Sequence, residues 1–357
     1  MKREKSTNSM RSATVTLKHV AEHAGVTTST VSAVLNNSPA ARSFPEPTKE
    51  RILNAARELN YRPNFFARSL RVKRSYTIGV ITEEIGDPYG GMIISGIEKY
   101  LRRRGFFFLT VAHRHDQRLL QEYAHLLSER GVEGFITIDT SVNESPTLPT
   151  IAVAGHHTVA NVTNLVLDHR NAAQVVLQHL TGLGHSEIAF MKGPATSSDS
   201  EHRWRGILEV SKEMGLEINP KLLIRLRGEE ATTDLGYTFM KRFLARNRET
   251  FTALFTYNDR TAIGAIRAIQ EAGWRVPEDI SVVGFDDIES AAYHNPAITT
   301  VRQPLQQMGE LAARTLLNRI ENNEPYVPEI AIGPELVVRH STGRAHAQAK
   351  SRKLKLA

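Results

Sequence analysis

Residues 15–37 read VTLKHVAEHAGVTTSTVSAVLNN and contain two helical patterns separated by a glycine. In the first pattern, apolar residues recur at helical spacing, and Thr16 precedes them where a helix N-cap is expected. Gly25 predicts the end of this helix, because glycine adopts the left-handed conformation of a C-cap without strain. Thr27 or Thr28 then caps a second helix, so the sequence predicts two short helices joined by a tight turn.

A third helical pattern opens at Glu46, where Pro47 suits the first turn, and its apolar positions are Ile52, Ala56 and Leu59. Helices this short are marginal in isolation, because nucleation is costly and each adds few hydrogen bonds. We therefore expect the three helices to pack on one another as one small domain.

The second helix is expected to present two different faces. Its inward face is predicted to be apolar, with Val31, Val34 and Leu35. Its outward face is predicted to be small and hydroxylated, with Thr28, Ser29, Ser32 and Ala33. Such a helix fits the major groove of DNA, where hydroxyls bond to phosphates and base edges and a methyl contacts thymine. A three-helix bundle with an ordinary polar face is the alternative.

The charge distribution favours the DNA interpretation. Residues 1–74 carry 14 basic and 5 acidic side chains, a net charge of +9, whereas residues 75–343 have a net charge of −7. Residues 344–357 add five basic side chains. A basic segment attached to a mildly acidic body is typical of a nucleic-acid-binding unit joined to a sensor or an enzyme. Residues 1–14 and 344–357 are predicted to be disordered.

Residues 63–74 are predicted to form a connector between the basic segment and the body. Pro63 interrupts a continuous helix, and Asn64 can cap a new, short one. Two interpretations remain open. The short helix orders when two copies meet on DNA and inserts Leu70 into the minor groove, or the segment is a flexible linker whose Leu70 packs on the body.

From Thr77 onward, apolar runs alternate with amphipathic stretches: TIGVI, FFFLTVA, GFITI, TIAVAG, NLVL, EIAFMKG, TALFTY, ISVVGF and TTVRQP. Runs that are apolar on both faces indicate strands buried between layers of helices. The sequence therefore predicts an α/β fold in which a helix-turn-helix domain precedes two doubly wound parallel-sheet lobes.

Composition excludes several classes of protein. The chain has no cysteine, which removes disulfides, thiolate metal sites and cysteine nucleophiles. It has neither an apolar run long enough for a membrane span nor the apolar segment of a signal peptide, so we expect a cytoplasmic protein with no membrane partner. No glycine-rich nucleotide loop, nucleophile elbow or recognisable catalytic set is found, which disfavours an enzyme.

Polar side chains follow several of the predicted strands. Asp87 and Tyr89 follow the first strand, while Asn258 and Asp286 follow two later ones, and Arg203 lies on the helix after EIAFMKG. Ligands of open α/β sheets bind beyond the carboxyl ends of the strands, so these residues are candidates for a cleft between the lobes. Carboxylates, a guanidinium and an amide suit a ligand rich in hydroxyl groups, such as a sugar. A helix cap for Asn258 and a structural Arg203–Asp286 ion pair are the alternatives.

Two histidine pairs, His113 with His115 and His156 with His157, also lie at strand ends. Histidine pairs bind metals when further ligands complete the set. Because neither cysteine nor a nearby run of carboxylates accompanies these pairs, the sequence predicts no metal site and no cofactor.

Residues 15–37, followed by YRPNFFARSL and IGVI, resemble the N-terminal reader and hinge of the LacI/GalR family of bacterial transcriptional regulators. The body matches the family in the order and spacing of LDHRNAA, GLGHSEIAFMKGP, TYNDRTAIGAIRAIQEAGWRVPEDISVVGFDD and NPAITTVRQPLQQMGELAA. The resemblance implies a helix-turn-helix domain at 15–62, a hinge helix and linker at 63–74, and a core at 75–343 that resembles periplasmic sugar-binding proteins, binds an effector and dimerises.

The resemblance also implies which residues contact the ligands. The DNA-binding set would be Thr16, Thr28, Ser29, Thr30, Ser32, Ala33, Asn36, Asn64, Ala67, Arg68 and Leu70. The effector-binding set would be Asp87, Tyr89, Arg203, Asn258 and Asp286. Two departures from the family matter for specificity. Ala33 stands where relatives commonly have the arginine of an S-R-V-L motif, and Gly90 stands where many have a second aromatic residue.

A family member of this kind is expected to be a sequence-specific repressor that binds a palindromic operator as a homodimer or a dimer of dimers. Its small-molecule effector is expected to be carbohydrate-like, and the protein is expected to associate with the bacterial nucleoid. A solute-binding protein with the same lobes is the alternative, but it does not account for the basic N-terminal segment.

Overall fold

A computed structural model of the chain describes residues 15–62, 69, 73–228, 231–322 and 324–345. The chain divides into two compact units, Met1–Ser75 and Tyr76–Ala357. None of the helices in the described ranges combines the length and the apolar character that crossing a membrane requires.

Residues 15–62 of the first unit form three α-helices: α1 (Leu17–Ala24), α2 (Thr28–Leu35) and α3 (Glu46–Glu58). The predicted caps are present. Thr16 occupies the N-cap of α1, and Gly25 ends this helix in the left-handed conformation with φ at 63°. Thr27 rather than Thr28 caps α2, because its Oγ1 accepts a hydrogen bond from the backbone N of Thr30 at 3.2 Å.

The core of this unit is small and is shared by all three helices. Val20, Val31 and Ile52 are fully buried and pack together. Ser32 corrects the prediction of an outward face, because it is only 7% exposed. It lies at the border of the apolar face, and Nδ2 of Asn36 donates a hydrogen bond to its Oγ at 3.2 Å.

The second unit contains two six-stranded sheets, each of which forms one lobe. The sheet of lobe 1 has the strand order β11-β5-β4-β3-β1-β2, and the sheet of lobe 2 has the order β12-β10-β9-β8-β6-β7. The strands are β1 (Thr77–Thr82), β2 (Phe107–Ala112), β3 (Phe135–Ile138), β4 (Thr150–Val153), β5 (Val162–Leu167), β6 (Ile188–Lys192), β7 (Leu223–Arg225), β8 (Ala253–Phe255), β9 (Ser281–Asp286), β10 (Thr299–Arg302), β11 (Glu329–Ile332) and β12 (Glu335–Val337).

Helices connect these strands: α4 (Pro88–Arg103), α5 (Gln117–Glu129), α6 (His169–Gly182), α7 (Ser198–Glu213), α8 (Thr233–Arg246), α9 (Asp259–Glu271), α10 (Glu289–Tyr293) and α11 (Leu305–Asn322). Strands such as β1 and β9 are buried along their whole length, as expected between two helical layers. Among the strands of the described ranges, every pairing is parallel except that of β10 with β12. The predicted α/β architecture of two parallel-sheet lobes is therefore confirmed.

The chain passes between the lobes three times in the second unit. After β5 it enters lobe 2, where α6 packs against α7 in the core of that lobe. After β10 it returns to lobe 1, where α11 packs against α4, and after β11 it ends on lobe 2 with β12. Each lobe is consequently built from segments that are distant in sequence.

The contact between α4 and α11 depends on two glycines. A Cβ added at Gly96 would lie 2.0 Å from the carbonyl oxygen of Gln306, and one added at Gly309 would lie 2.0 Å from that of Ile93. No side chain fits between the two backbones at these points. The glycines therefore set how closely the helices approach.

Asp259, the first residue of α9, is completely buried. Its carboxylate accepts hydrogen bonds from Oγ1 of Thr300 at 2.6 Å and from the backbone N of Ile288 at 3.0 Å. Burial raises the pKa of this carboxyl from 3.8 to about 7, although both hydrogen bonds oppose the shift. Asp259 thereby connects the start of α9 to β10 and to the loop after β9.

We expect Gly96→Ala to lower the free energy of unfolding of the second unit by about 1–3 kcal/mol, because the added methyl group forces α4 and α11 apart. Urea denaturation measures this change. Gly91→Ala on the same helix is the matched control, since a Cβ there meets nothing within 4 Å and alanine favours the helix. Equal losses of stability in the two variants would contradict the packing argument.

We also expect the stability of the protein to depend on the ionisation of Asp259. Because the pKa is higher in the folded chain than in the unfolded one, the stabilisation is complete below about pH 4 and is lost as the pH rises through about 7. Between about pH 5 and pH 8, the wild type should lose about 2–3 kcal/mol of stability relative to Asp259→Asn.

Thermal unfolding followed across this pH range provides the measurement. The exposed Asp234 gives a control, and Asp234→Asn should keep the pH dependence of the wild type. If the curves for Asp259→Asn and the wild type run parallel, the buried carboxyl does not titrate as described.

Candidate functional site

A cavity lies between the two lobes, at the carboxyl ends of their strands. All five residues that the sequence predicted for the effector line it: Asp87, Tyr89, Arg203, Asn258 and Asp286. Asp87 and Tyr89 come from lobe 1, at the start of α4, and the other three come from lobe 2. The structure thus brings together the residues selected by the strand-end rule.

Arg203 is the most enclosed cation of this site. Its Cζ atom lies 3.6 Å from the ring centroid of Phe285 and 4.5 Å from that of Tyr257. Its Nη2 donates to Oδ2 of Asp199 at 3.2 Å, and its Nη1 donates to the carbonyl oxygen of Tyr257. The buried ion pair of Arg203 is therefore with Asp199 on its own helix and not with Asp286, the partner considered from the sequence.

Asp286 is the last residue of β9 and has φ at 100°, a conformation that non-glycine residues rarely adopt. Such backbone strain is often found at functional sites. Burial raises the pKa of its carboxyl well above the usual range, although the charge of Arg203 opposes the shift. Nε2 of Gln303 donates to its Oδ1 at 2.7 Å.

Asn258 lines the cavity and also caps α9. The helix-cap role that the sequence suggested as an alternative is therefore present together with the cavity role. Its Oδ1 accepts a hydrogen bond from the backbone N of Thr261 at 2.9 Å, and its Nδ2 donates to the carbonyl oxygen of Ala231 at 3.3 Å. The amide is consequently held in one orientation at the cavity wall.

Asp87 has two structural roles in addition to lining the cavity. Its Oδ2 accepts a hydrogen bond from the backbone N of Gly90 at 3.2 Å and so caps α4. Its Oδ1 forms an ion pair with Nη1 of Arg260 at 3.0 Å, which links lobe 1 to lobe 2. Nearby, the buried hydroxyl of Tyr89 has no hydrogen-bond partner among the described residues, and this also holds for Nε of Arg203.

Further contacts join the lobes across this cavity. Oγ of Ser198 on α7 donates to Oδ1 of Asp139 at 2.6 Å, and Nε2 of His156 lies 2.5 Å from Oδ1 of Asp199. The cavity has a volume of about 80 Å³, which is small compared with the roughly 300 Å³ or more of typical ligand pockets. The lobes are therefore closed, and a ligand larger than a few water molecules enters only when they separate.

Three further residues of this site, Asp139, Asp199 and Arg260, were not among the residues predicted from the sequence. Asp139 directly follows β3, so the strand-end rule would have identified it. Burial, followed by the charge of Asp199, raises its pKa to about 6. Arg260 and Asp199 lie inside helices, and only the i, i+4 spacing of Asp199 with Arg203 indicated a contact.

The histidines that are close in sequence have separate interaction partners in the structure. His113 and His115 lie in the loop after β2, where His113 contacts Thr140 at 3.0 Å and His115 forms an ion pair with Glu83. His157 is exposed. His156 faces the carboxylate of Asp199, which is distant in sequence, so the expectation that no carboxylates accompany these histidines did not take account of groups brought together by folding.

The predicted DNA-binding residues of α2 differ in accessibility. Thr28 and Ser29 are exposed, and Thr30, Ala33 and Asn36 are partly exposed. The hydroxyl of Thr27 lies 2.7 Å from that of Ser29 and 2.9 Å from that of Thr30, so these side chains are already oriented by one another. Four further predicted residues lie outside the described residues: Asn64, Ala67, Arg68 and Leu70.

The arrangement of a helix-turn-helix unit and a two-lobed ligand cleft matches known proteins. Residues 16–64 match the family described as "Bacterial regulatory proteins, lacI family", and residues 177–342 match the "Periplasmic binding protein-like domain". The HTH-type transcriptional repressor PurR of Haemophilus influenzae is 33% identical over 338 residues, which covers 91% of this chain and 98% of that protein.

Solved structures agree with this match. The Lac repressor dimer bound to operator and the anti-inducer ONPF superposes with a TM-score of 0.82 at 27% identity, covering 92% of this chain and 99% of that chain. The complex of the transcriptional regulator CelR with cellobiose gives a TM-score of 0.66 at 27% identity with the same coverage. The chain therefore belongs to the LacI family of bacterial transcriptional regulators, which are DNA-binding proteins with a ligand-binding domain and not enzymes.

Proposed function

We propose that this regulator is a homodimeric repressor that binds a palindromic operator. Binding of a hydroxyl-rich metabolite, such as a sugar, raises or lowers its affinity for that operator. The observation that carries the proposal is the convergence of Asp87, Tyr89, Arg203, Asn258 and Asp286 on one cavity between two lobes. A ligand in that cavity touches both lobes at once, so it changes the relative free energy of their open and closed arrangements.

The DNA-binding surface is proposed to be the exposed side of α2 together with the connector. Thr28 and Ser29 offer hydroxyls to phosphates or base edges, and the methyl group of Ala33 suits a thymine. The connector is proposed to add Asn64, Ala67 and Arg68, with Leu70 inserted at the operator centre. Thr16, Thr30 and Asn36 complete the proposed contacts. Ser32 is removed from the base-reading set, because it is buried.

The class of effector follows from the groups that line the cavity. Carboxylates accept hydrogen bonds from hydroxyls, whereas the guanidinium and the amide donate to hydroxyl oxygens. The buried Tyr89 hydroxyl and Nε of Arg203, which have no partner among the described residues, gain one from such a ligand. The structurally similar CelR is a complex with cellobiose, which supports a sugar.

Exposed apolar side chains support a homodimer. Phe107 is 69% exposed and Leu109 is 39% exposed, and both lie on β2, one of the two edge strands of the lobe 1 sheet. Exposed apolar residues on an edge strand favour association with another chain, and a two-fold interface would bury them symmetrically. Two-fold symmetry also matches a palindromic operator.

We expect operator affinity to fall at least about 100-fold when monovalent salt rises from about 50 to 200 mM, because binding to phosphates releases counterions. Leu70→Ala should lower the ratio of the affinity for the operator to the affinity for random-sequence DNA, and it should not change the fold. Electrophoretic mobility shifts, on an operator selected from random DNA, measure both effects.

Arg246→Gln serves as the control, since it removes an exposed positive charge from lobe 2 and should leave the salt dependence unchanged. A salt-independent affinity would contradict the DNA-binding surface. Unchanged discrimination in Leu70→Ala would contradict only the insertion of this side chain.

We expect Asp286→Asn to weaken binding of the effector about 10- to 100-fold or more, because a buried carboxylate that accepts hydroxyls is replaced by an amide that also donates. A panel of monosaccharides and disaccharides, screened for a thermal shift and for altered operator binding, identifies the effector. Asp234→Asn, which changes an exposed carboxylate of the same lobe, should bind it like the wild type. An Asp286→Asn variant with full response would contradict the assigned site.

A further inference from the structure

Two histidines and one aspartate form a buried cluster beside the effector cavity, and we call His156, His169 and Asp199 the histidine cluster. His156 follows β4 in lobe 1, whereas His169 begins α6 and Asp199 lies on α7, both in lobe 2. The exposed fraction of each side chain is 6–7%. The cluster therefore lies on the boundary between the lobes and is shielded from water.

The ligating atoms of the cluster converge on one point. One nitrogen from each histidine and one carboxylate oxygen all lie within 4.8 Å of one another. Oδ1 of Asp199 is 2.5 Å from Nε2 of His156 and 3.1 Å from Nε2 of His169. Ligands of a tetrahedral zinc ion are about 3.3 Å apart, given bond lengths of about 2.0–2.2 Å. The distance from Oδ1 to Nε2 of His169 is already close to this value, whereas the distance from Oδ1 to Nε2 of His156 has to lengthen by less than about 1 Å.

The charges around the cluster favour a divalent cation. Arg203 faces the carboxylates of Asp199 and Asp286, and Asp139 faces that of Asp199. Asp199 is the carboxyl whose ionised form is favoured, whereas burial raises the pKa of its neighbours Asp139 and Asp286. A divalent cation at Oδ1 of Asp199 would lower the pKa of both neighbours and compensate the charge that their ionisation buries.

The groups around the cluster indicate that a divalent cation would bind with moderate affinity. Oδ2 of Asp199 is held by Nη2 of Arg203 at 3.2 Å, which leaves Oδ1 directed at the histidines. Nδ1 of His169, in contrast, is buried and finds no partner in the described part of the chain. Metal-binding histidines usually donate this second N–H, and losing such a partner weakens affinity about 10- to 100-fold.

An entry path reaches the cluster from outside. A crevice of about 320 Å³ is lined by His156, His169, His202 and Arg205. The ring of His202 stacks on that of His156, with the centroids 4.0 Å apart. The two histidines of the cluster line this crevice and Asp199 does not, so a cation that enters here meets imidazole first.

We propose that the histidine cluster binds one divalent transition-metal ion of the zinc class, with Nε2 of His156, Nε2 of His169 and Oδ1 of Asp199 as its ligands. Imidazole and carboxylate ligands without thiolate suit zinc and its neighbours in the first transition row. Since the ligands come from both lobes, the bound ion holds the lobes closed beside the effector cavity.

The test is a zinc titration of the full-length protein after removal of metal by a chelator. We expect one zinc ion to bind per chain with moderate affinity, and the thermal unfolding midpoint to rise with zinc. His156→Gln and His169→Gln should each weaken zinc binding at least about 50-fold, as expected when one of three ligands is lost. His113→Gln is the matched control, because His113 is a buried histidine of lobe 1 outside the cluster.

Cobalt provides a second readout that does not depend on whether the variants fold. Co²⁺ bound to the wild type by nitrogen and oxygen ligands in a four- or five-coordinate site should give visible absorption that is stronger than that of the hydrated ion. The readout is metal binding itself, so it is independent of DNA and of the effector.

Two results would overturn the proposal. One is a wild-type protein that binds no zinc and gives only the spectrum of hydrated cobalt, which would make the cluster a hydrogen-bond network. The other is zinc binding that is equally strong in His156→Gln, His169→Gln and His113→Gln, which would place the ion at surface histidines.

Discussion

A guanidinium buried between two aromatic rings is the constraint that organises the cleft of this regulator. Arg203 lies against Phe285 and Tyr257, and burying its charge would cost several kcal/mol without compensation. Asp199 supplies the ion pair, and Asp286 adds a further facing charge. Burial works against ionisation of Asp199, but the facing imidazoles hold its pKa well below the usual range. The same cation opposes the upward shift that burial imposes on the pKa of Asp286, so it makes this part of the cavity wall more favourable for negative charge.

The two lobes are held together at the cavity by a few polar contacts rather than by a continuous apolar core. The Asp87–Arg260 ion pair and the hydrogen bond from Ser198 to Asp139 are examples. Polar contacts of this kind exchange readily with water or with a hydroxyl-rich ligand, since their net contribution to stability is modest. A cleft closed in this way can open and close without disturbing the packing inside either lobe, which is what a ligand-dependent regulator requires.

Periodicity and caps were sufficient to predict the three helices of the first unit and nine of the strands, because each is marked by local residues. The strands β7, β11 and β12 were not predicted, since they are short and lie at or near sheet edges, where burial leaves a weak pattern. Ser32 was placed on the wrong face because it lies at the border of a helical stripe. The contact of His156 with Asp199 joins residues 43 positions apart, and only the folded lobes bring them together. The residues at the strand ends were predicted correctly as neighbours, because topology alone places them at one edge.

The glycine contact between α4 and α11 has a mechanical consequence. Helix α11 starts directly after the chain leaves β10 of lobe 2, and α4 starts at Asp87 and Tyr89 in the cavity wall. The backbones of the two helices are in contact at Gly96 and Gly309, and no side chain lies between them that could rearrange. The two helices therefore move together as one rigid body. A ligand that tilts α4 at the cavity wall is thus expected to move α11 with it, which displaces groups about 20 Å or more away given the length of these helices.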